Sequence, residues 1–132
     1  MHSHSKFRKN KKKRSYHFGI FAEYYAALYL LCKGYRIIKL RYRNPKGEID
    51  ILARKGDTLI AVEVKARAKM ADCHDSITIH KQRRIIKSMQ WLMVNPAKLS
   101  GLRNGQVHNI RFDVVWVIPY AIPKHIKNAW SL

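Results

Sequence analysis

The sequence predicts an α/β protein, an α/β/α sandwich around a central mixed sheet, with elements in the order α-β-β-β-α-β. Three observations carry this expectation. Two segments repeat their apolar residues at helical spacing, one before and one after a cluster of short apolar strands. Turn residues punctuate that cluster at short intervals. A strongly apolar stretch follows the second helix, and such a strand needs cover on both faces.

The elements follow in order. Phe18, Phe21, Ala22, Tyr25, Leu28, Tyr29 and Cys32 form a helical stripe, and Gly34 is placed to cap it. Glu23 lies off that stripe, beside the small residues Ala26 and Ala27. Strands are expected at Arg36–Tyr42, Glu48–Ala53 and Leu59–Lys65, joined by Asn44-Pro45-Lys46-Gly47 and Lys55-Gly56-Asp57-Thr58. Residues 68–75 read as a polar loop. A second helix runs from about Ile77 to Val94, with Ile77, Ile85, Ile86, Met89, Leu92 and Met93 as its apolar side, and Asn95-Pro96 ends it. After a loop over 97–108 comes the strand Ile110–Ile118, then a short segment around His125–Trp130. Residues 16–132 form one domain. Residues 1–15 are a basic arm with no apolar period and are expected to be disordered.

The chain has 132 residues, 27 of them Lys or Arg and only 8 Asp or Glu, for a net charge of +19. The arm holds seven of these bases and no acid, so 20 bases still face 8 acids in the body of the protein. Such a balance favours polyanionic partners through long-range attraction and counterion release. No run approaches the ~18 apolar residues of a membrane helix, and the N-terminus has no apolar core of a secretory signal. Cys32 and Cys73 are far apart and form no CxxC pair, which points to a reduced, cytoplasmic protein without membrane attachment.

Against this charge the stretch Gly47–Arg67, GEIDILARKGDTLIAVEVKAR, is unusual. Glu48 and Asp50 lie on one strand of a hairpin, Glu63 and Lys65 on the next. Side chains alternate along a strand, so Glu63 and Lys65 share a face, roughly 6–7 Å apart. Val62 and Val64 then take the core face, and on the first strand Ile49 and Ile51 are expected to share the face opposite Glu48 and Asp50. Asp50, Glu63 and Lys65 thus come side by side, with Glu48 at the rim. Adjacent carboxylates repel unless a proton or cation intervenes, and Mg²⁺ or Mn²⁺ takes one or two such carboxylates while keeping several waters. Such an ion lowers the pKa of a water, which can then attack a phosphodiester. Lys65 can orient the water or offset transition-state charge. An acid-x-base triplet is expected about once or twice by chance in so basic a chain, so the weight lies in the hairpin context. Surface ion pairs on a basic protein use the same residue types, and both readings stand at this level.

GEIDILA followed by VEVKAR resembles the YraN-like family of endonucleases, which is similar to archaeal Holliday-junction resolvases and to the PD-(D/E)XK superfamily. The resemblance covers most of residues 17–130 and includes Gly19, Glu23, Lys81 and Arg111-Phe112-Asp113. Asp50, a twelve-residue spacer and Glu63-Val64-Lys65 match the D…ExK core, with Ile49 where a proline is nominal. The resemblance implies a restriction-endonuclease-like fold and a metal-dependent nuclease acting on DNA, with branched substrates and a homodimer making two symmetric cuts. It implies Asp50 and Glu63 as metal ligands with the Val64 carbonyl, Lys65 as catalytic lysine and Glu23 as auxiliary carboxylate. A non-catalytic protein binding DNA, RNA or the ribosome through the same fold is the rival expectation.

Lys81, Arg83 and Arg84 on the second helix, with Arg67, are candidate phosphate contacts. Asp113, inside an apolar strand after Arg111, is expected to form an internal ion pair or structural hydrogen bond. Cys73, His74 and His80 lack the ligands and spacing of a zinc site. Tyr42, Trp91, Trp116 and Trp130 are expected in or at the rim of the core rather than stacked on bases.

Overall fold

The computed structural model describes residues 19–96, 99 and 107–132. The basic arm, Phe18 and most of the 97–108 loop lie outside these residues. Helix α1 spans 19–32. Strands β1 (Arg36–Asn44), β2 (Gly47–Lys55) and β3 (Thr58–Ala66) follow, then helix α2 (Ile79–Val94), β4 (Asn109–Val117) and β5 (Lys124–Trp130). A short 3-10 turn, Met70–Asp72, interrupts the expected polar loop. The five strands form one open mixed sheet in the order β1-β2-β3-β4-β5. β3 and β4 run parallel, and the other neighbours are antiparallel.

The element order was legible, and the sheet gains β5 where the sequence indicated a short segment. Helix α1 packs on one face with Ala22, Ala26, Ala27 and Leu30 against Ile51, Ile60, Val62 and Val115. Helix α2 covers the other with Ile85, Met89 and Leu92 against Leu52, Phe112 and Trp116. The mixed α/β layering with one helix per face is therefore observed.

The α1 stripe is rotated from its expected orientation. Ala22, Tyr25 and Tyr29 of the expected stripe pack on the core, but Phe21, Leu28 and Cys32 are exposed, and Ala26, Ala27 and Leu30 face the sheet in their place. Small side chains let the helix axis come close to the strands, and the aromatic residues are displaced to the edges of that contact. The rotation also turns Glu23 toward the sheet.

Turns hold the strands in register. Gly56 has φ +60 at the first central position of the Lys55–Thr58 hairpin, a conformation that glycine adopts without steric cost. At the β1–β2 turn the Asn44 amide donates to the Ser88 carbonyl of α2 (2.9 Å). A Cβ at Gly47 would meet Ser88 Oγ at 2.8 Å. Gly47→Ala is therefore expected to destabilise the fold by about 1–3 kcal/mol through overpacking. Denaturation of the double variant with Ser88→Ala checks the cause, because removing Oγ should recover most of the loss.

The β2 phase departs from simple alternation. Leu40 pairs with Ile51 and both belong to the α1-side core, whereas Tyr42 pairs with Ile49 and both belong to the α2-side core. Ile49 and Ile51 thus lie on opposite faces, contrary to the expected shared face. The residue between the β1 partners, Arg41, has φ +51. A left-handed residue flips the strand, and β2 follows at Asp50.

Candidate functional site

The β2–β3 ladder ends at Ile51↔Val62. Beyond it the strands fork, and Asp50 stands at the fork. Its Oδ2 accepts the Val64 backbone N–H at 2.9 Å, so the side chain takes over the place of a ladder bond. A residue in an extended strand sends its N–H and C=O toward the same neighbour, so the Val64 carbonyl also opens toward Asp50.

Glu63 lies on the α2 side of β3, with only 3% of its surface exposed. Its carboxylate pairs with the Lys81 ammonium and feels the repulsion of the Asp50 charge. Burial, and next the Asp50 charge, push the Glu63 pKa up to about 8, against the opposing pull of Lys81. For Lys81 burial favours the neutral amine, but the Glu63 contact outweighs it and raises the pKa.

Lys65 shares the α2 face with Glu63, as alternation required, but its ammonium is turned aside. It donates to the Asp75 and Ser76 carbonyls (both 3.3 Å) and lies 4.9 Å above the Trp116 ring. Burial, then Arg67 and Lys81, lowers its pKa. Glu23 reaches the site from α1 and binds Arg41 Nε at 2.7 Å. Its pKa is raised, first by burial and then by Asp50, in spite of the Arg41 bond. Glu48 is exposed and pairs with Arg43 at 3.2 Å. Arg67 lies 5.2 Å over Trp116 and pairs with Asp75 at 3.5 Å. Arg83 and Arg84 are on the exposed side of α2.

The structure thus brings Asp50, Glu63 and Val64 together, with Glu23 acting electrostatically and Lys65 one strand step away. It moves Lys81 from the expected outer phosphate face into the acidic cluster. A signal for this exists in the sequence. Thr78 caps α2 and Lys81 is in its first turn, which contains no acid. A cation at the positive end of a helix is unfavourable, so such a lysine needs an acidic partner elsewhere. Among the described residues no three of His, Cys, Asp and Glu converge. The donor set of two carboxylates and the Val64 carbonyl fits a hard divalent ion that retains waters, and Asp50 and Glu63 carry the repulsion that such an ion relieves.

A second polar cluster is structural. Asp113, fully buried, accepts two bonds from Arg111 (both 2.8 Å), one from His125 Nε2 (2.8 Å) and one from the Asn128 N–H (2.9 Å). Arg111 also donates to the Tyr35 hydroxyl at 2.9 Å. Lys33 Nζ lies 2.7 Å from His125 Nδ1. Lysine only donates, so His125 Nδ1 accepts and Nε2 carries the hydrogen directed at Asp113. This is the internal ion pair that the sequence suggested.

Fold and site together define a small mixed α/β domain with a buried glutamate beside a half-buried aspartate, flanked by lysines, at a strand fork. Residues 22–117 match the family described as Uncharacterised protein family UPF0102, and the chain belongs to that family. It is 43% identical over 122 residues to UPF0102 protein Atu0303 of Agrobacterium fabrum, covering 92% of this chain and 94% of the relative. UPF0102 protein R00337 of Rhizobium meliloti is 44% identical over 115 residues, 85% of this chain and 87% of that one. No helix among the described residues is long and apolar enough to cross a membrane.

Proposed function

We propose that this chain is a metal-dependent nuclease of the restriction-endonuclease-like type that hydrolyses DNA phosphodiesters. The observation that carries the reading is the Asp50–Glu63 pair, with Glu63 held up to about 8 in a chain of net charge +19. A buried acid set beside a second acid is costly to a fold and gains a purpose as a cation site. Asp50, Glu63 and the Val64 carbonyl would hold Mg²⁺ or Mn²⁺, which supplies a Lewis acid and an activated water. Glu23 adds negative charge on the α1 side. Lys65 can orient the attacking water or offset charge in the transition state, while Lys81 released from Glu63 can face the scissile phosphate. Arg67, Arg83 and Arg84 offer further phosphate contacts. Branched DNA as substrate and a homodimer belong to the same reading, through the resemblance to resolvases.

One observation favours a second reading. The Lys81 ammonium stands against Glu63 where a cation is needed, and a non-catalytic nucleic-acid-binding protein could retain the fold with that internal pair. Incubation with duplex, single-stranded and four-way-junction DNA, and with RNA, in Mg²⁺, Mn²⁺ or EDTA separates the two. Cleavage is expected with metal only, and Asp50→Asn is expected to reduce it about 10²–10³-fold. Cutting that persists in EDTA or in the variant sinks the proposal, and binding without cutting in any metal supports the second reading.

A further inference from the structure

A cleft of about 210 Å³ lies beside Lys65, between residues 73–77 and the β4–β5 edge. We propose that it receives one unpaired nucleobase of the bound strand, an inference that rests on the nucleic-acid reading above. Three observations support this occupant.

The lining is mostly apolar, with Ile77, Val114, Trp116 and Trp130 beside the polar Asp75 and Gln82. The volume is below the roughly 300–1,000 Å³ of pockets that enclose drug-sized ligands, so it suits a single planar ring. A flat ring is therefore the fitting guest, as a nucleobase provides. Finally, the cations Lys65 and Arg67 lie against the Trp116 ring, where they can meet the phosphates on either side of an inserted base.

Strand geometry links this cleft to the acidic site. Lys65 follows Glu63 by two residues on the same face of β3, roughly 6–7 Å along, and its ammonium is fixed by Asp75 and Ser76, both at the cleft. A base held by the indoles would leave its strand running past Lys65 toward Asp50 and Glu63. The partners are then strands with a displaced or looped-out nucleotide, because a paired base in a continuous duplex cannot enter.

The test uses the full chain in EDTA, so that binding is read without cleavage. Fluorescence anisotropy compares a duplex with one bulged nucleotide, the same duplex with a bulged abasic residue and the fully paired duplex. The base-containing bulge is expected to bind about tenfold tighter than either of the others. Ala129→Leu fills the cleft from an exposed position without entering the core. In this variant the preference should collapse to within about twofold. Equal affinity for the base-containing and abasic bulges, or a preference that survives Ala129→Leu, overturns the proposal. The separate cleavage assay keeps the two ideas apart. A base preference with no cutting retains the cleft and removes the nuclease, and cutting with no base preference does the reverse. Failure to bind any DNA removes the cleft proposal as well.

Discussion

Asp113→Ala is expected to cost the fold about 3–5 kcal/mol, the usual loss when one partner of a buried ion pair is removed. The carboxylate is fully buried and accepts all four of its near hydrogen bonds from Arg111, His125 and the Asn128 N–H. Alanine leaves the guanidinium, the imidazole N–H and a backbone N–H facing a void. The effect should spread, because Asn128 has φ +54 and the β4–β5 register shifts between Phe112 and Val114. The acid accommodates that irregularity by taking the displaced N–H. Urea denaturation near neutral pH measures the loss, and a cost below about 1 kcal/mol would show the network to be incidental. The pH dependence has a definite sign. Burial alone would raise the Asp113 pKa, but the hydrogen bonds from His125, Arg111 and Asn128 lower it below the ordinary range. A lowered acid contributes stability above its unfolded pKa of about 3.8 and loses it as pH falls through the folded value. Parent and variant should therefore converge in strong acid.

Glu63→Gln is expected to abolish metal-dependent cleavage, with a loss of about 10²–10³-fold, and at the same time to stabilise the ion-free protein at pH 8. Glu63 is held up to about 8 from an ordinary 4.5. Between these values the unfolded chain releases a proton that the folded chain retains, so stability falls as pH rises through the window. The accumulated loss by pH 8 is between about 2 and 5 kcal/mol. Glutamine imitates the protonated acid, accepting from Lys81 and donating to Asp50, and it has no charge to expose. Lys81 suffers little from the exchange, since 54% of its side chain is exposed and can turn to water. Thermal melts from pH 5 to 8 in EDTA should slope downward for the parent and lie nearly flat for the variant. A variant less stable than the parent at pH 8 would mean that the Glu63–Lys81 pair holds the fold together. Added Mg²⁺ should raise the parent's melting temperature at pH 8 and leave that of the variant unchanged.

The two predictions separate two kinds of buried acid that look alike in the sequence. Asp113 is surrounded by donors and is favoured ionised. Glu63 faces another acid and is favoured protonated. Strand position does not distinguish them, since both follow apolar residues in short strands. Only the neighbours brought by other elements do, namely His125 from β5 for one, and Asp50 from β2 with Lys81 from α2 for the other.

Much of the architecture was legible because its signals are local. The period of the apolar residues separated helices from strands, and Gly56 and the Asn44–Gly47 stretch marked the hairpin turns. The concentration of Glu48, Asp50, Glu63 and Lys65 in one hairpin located the site, and strand alternation put Glu63 and Lys65 on one face. The α1 contact face was legible in part, through Ala22, Tyr25 and Tyr29; Ala26 and Ala27 stay outside the pattern because alanines carry little hydrophobic weight, yet they permit the closest approach of a helix to a sheet. The placement of Ile49 and Ile51 on one face failed because the phase of β2 is set by Arg41 on another strand.

The sequence by itself determined the order of elements, the family, the basic field of the molecule and the hairpin that bears the acids. The tertiary structure decided how those acids are used. A left-handed residue on β1 flips the phase of β2 and sets Asp50 at a fork. The rotation of α1 brings Glu23 toward that fork, and the cap at Thr78 starts α2 where Lys81 meets Glu63. Each of these depends on contacts between residues distant in the chain. A local pattern encodes the geometry of its own element, but the electrostatic state of a side chain depends on which other elements enclose it.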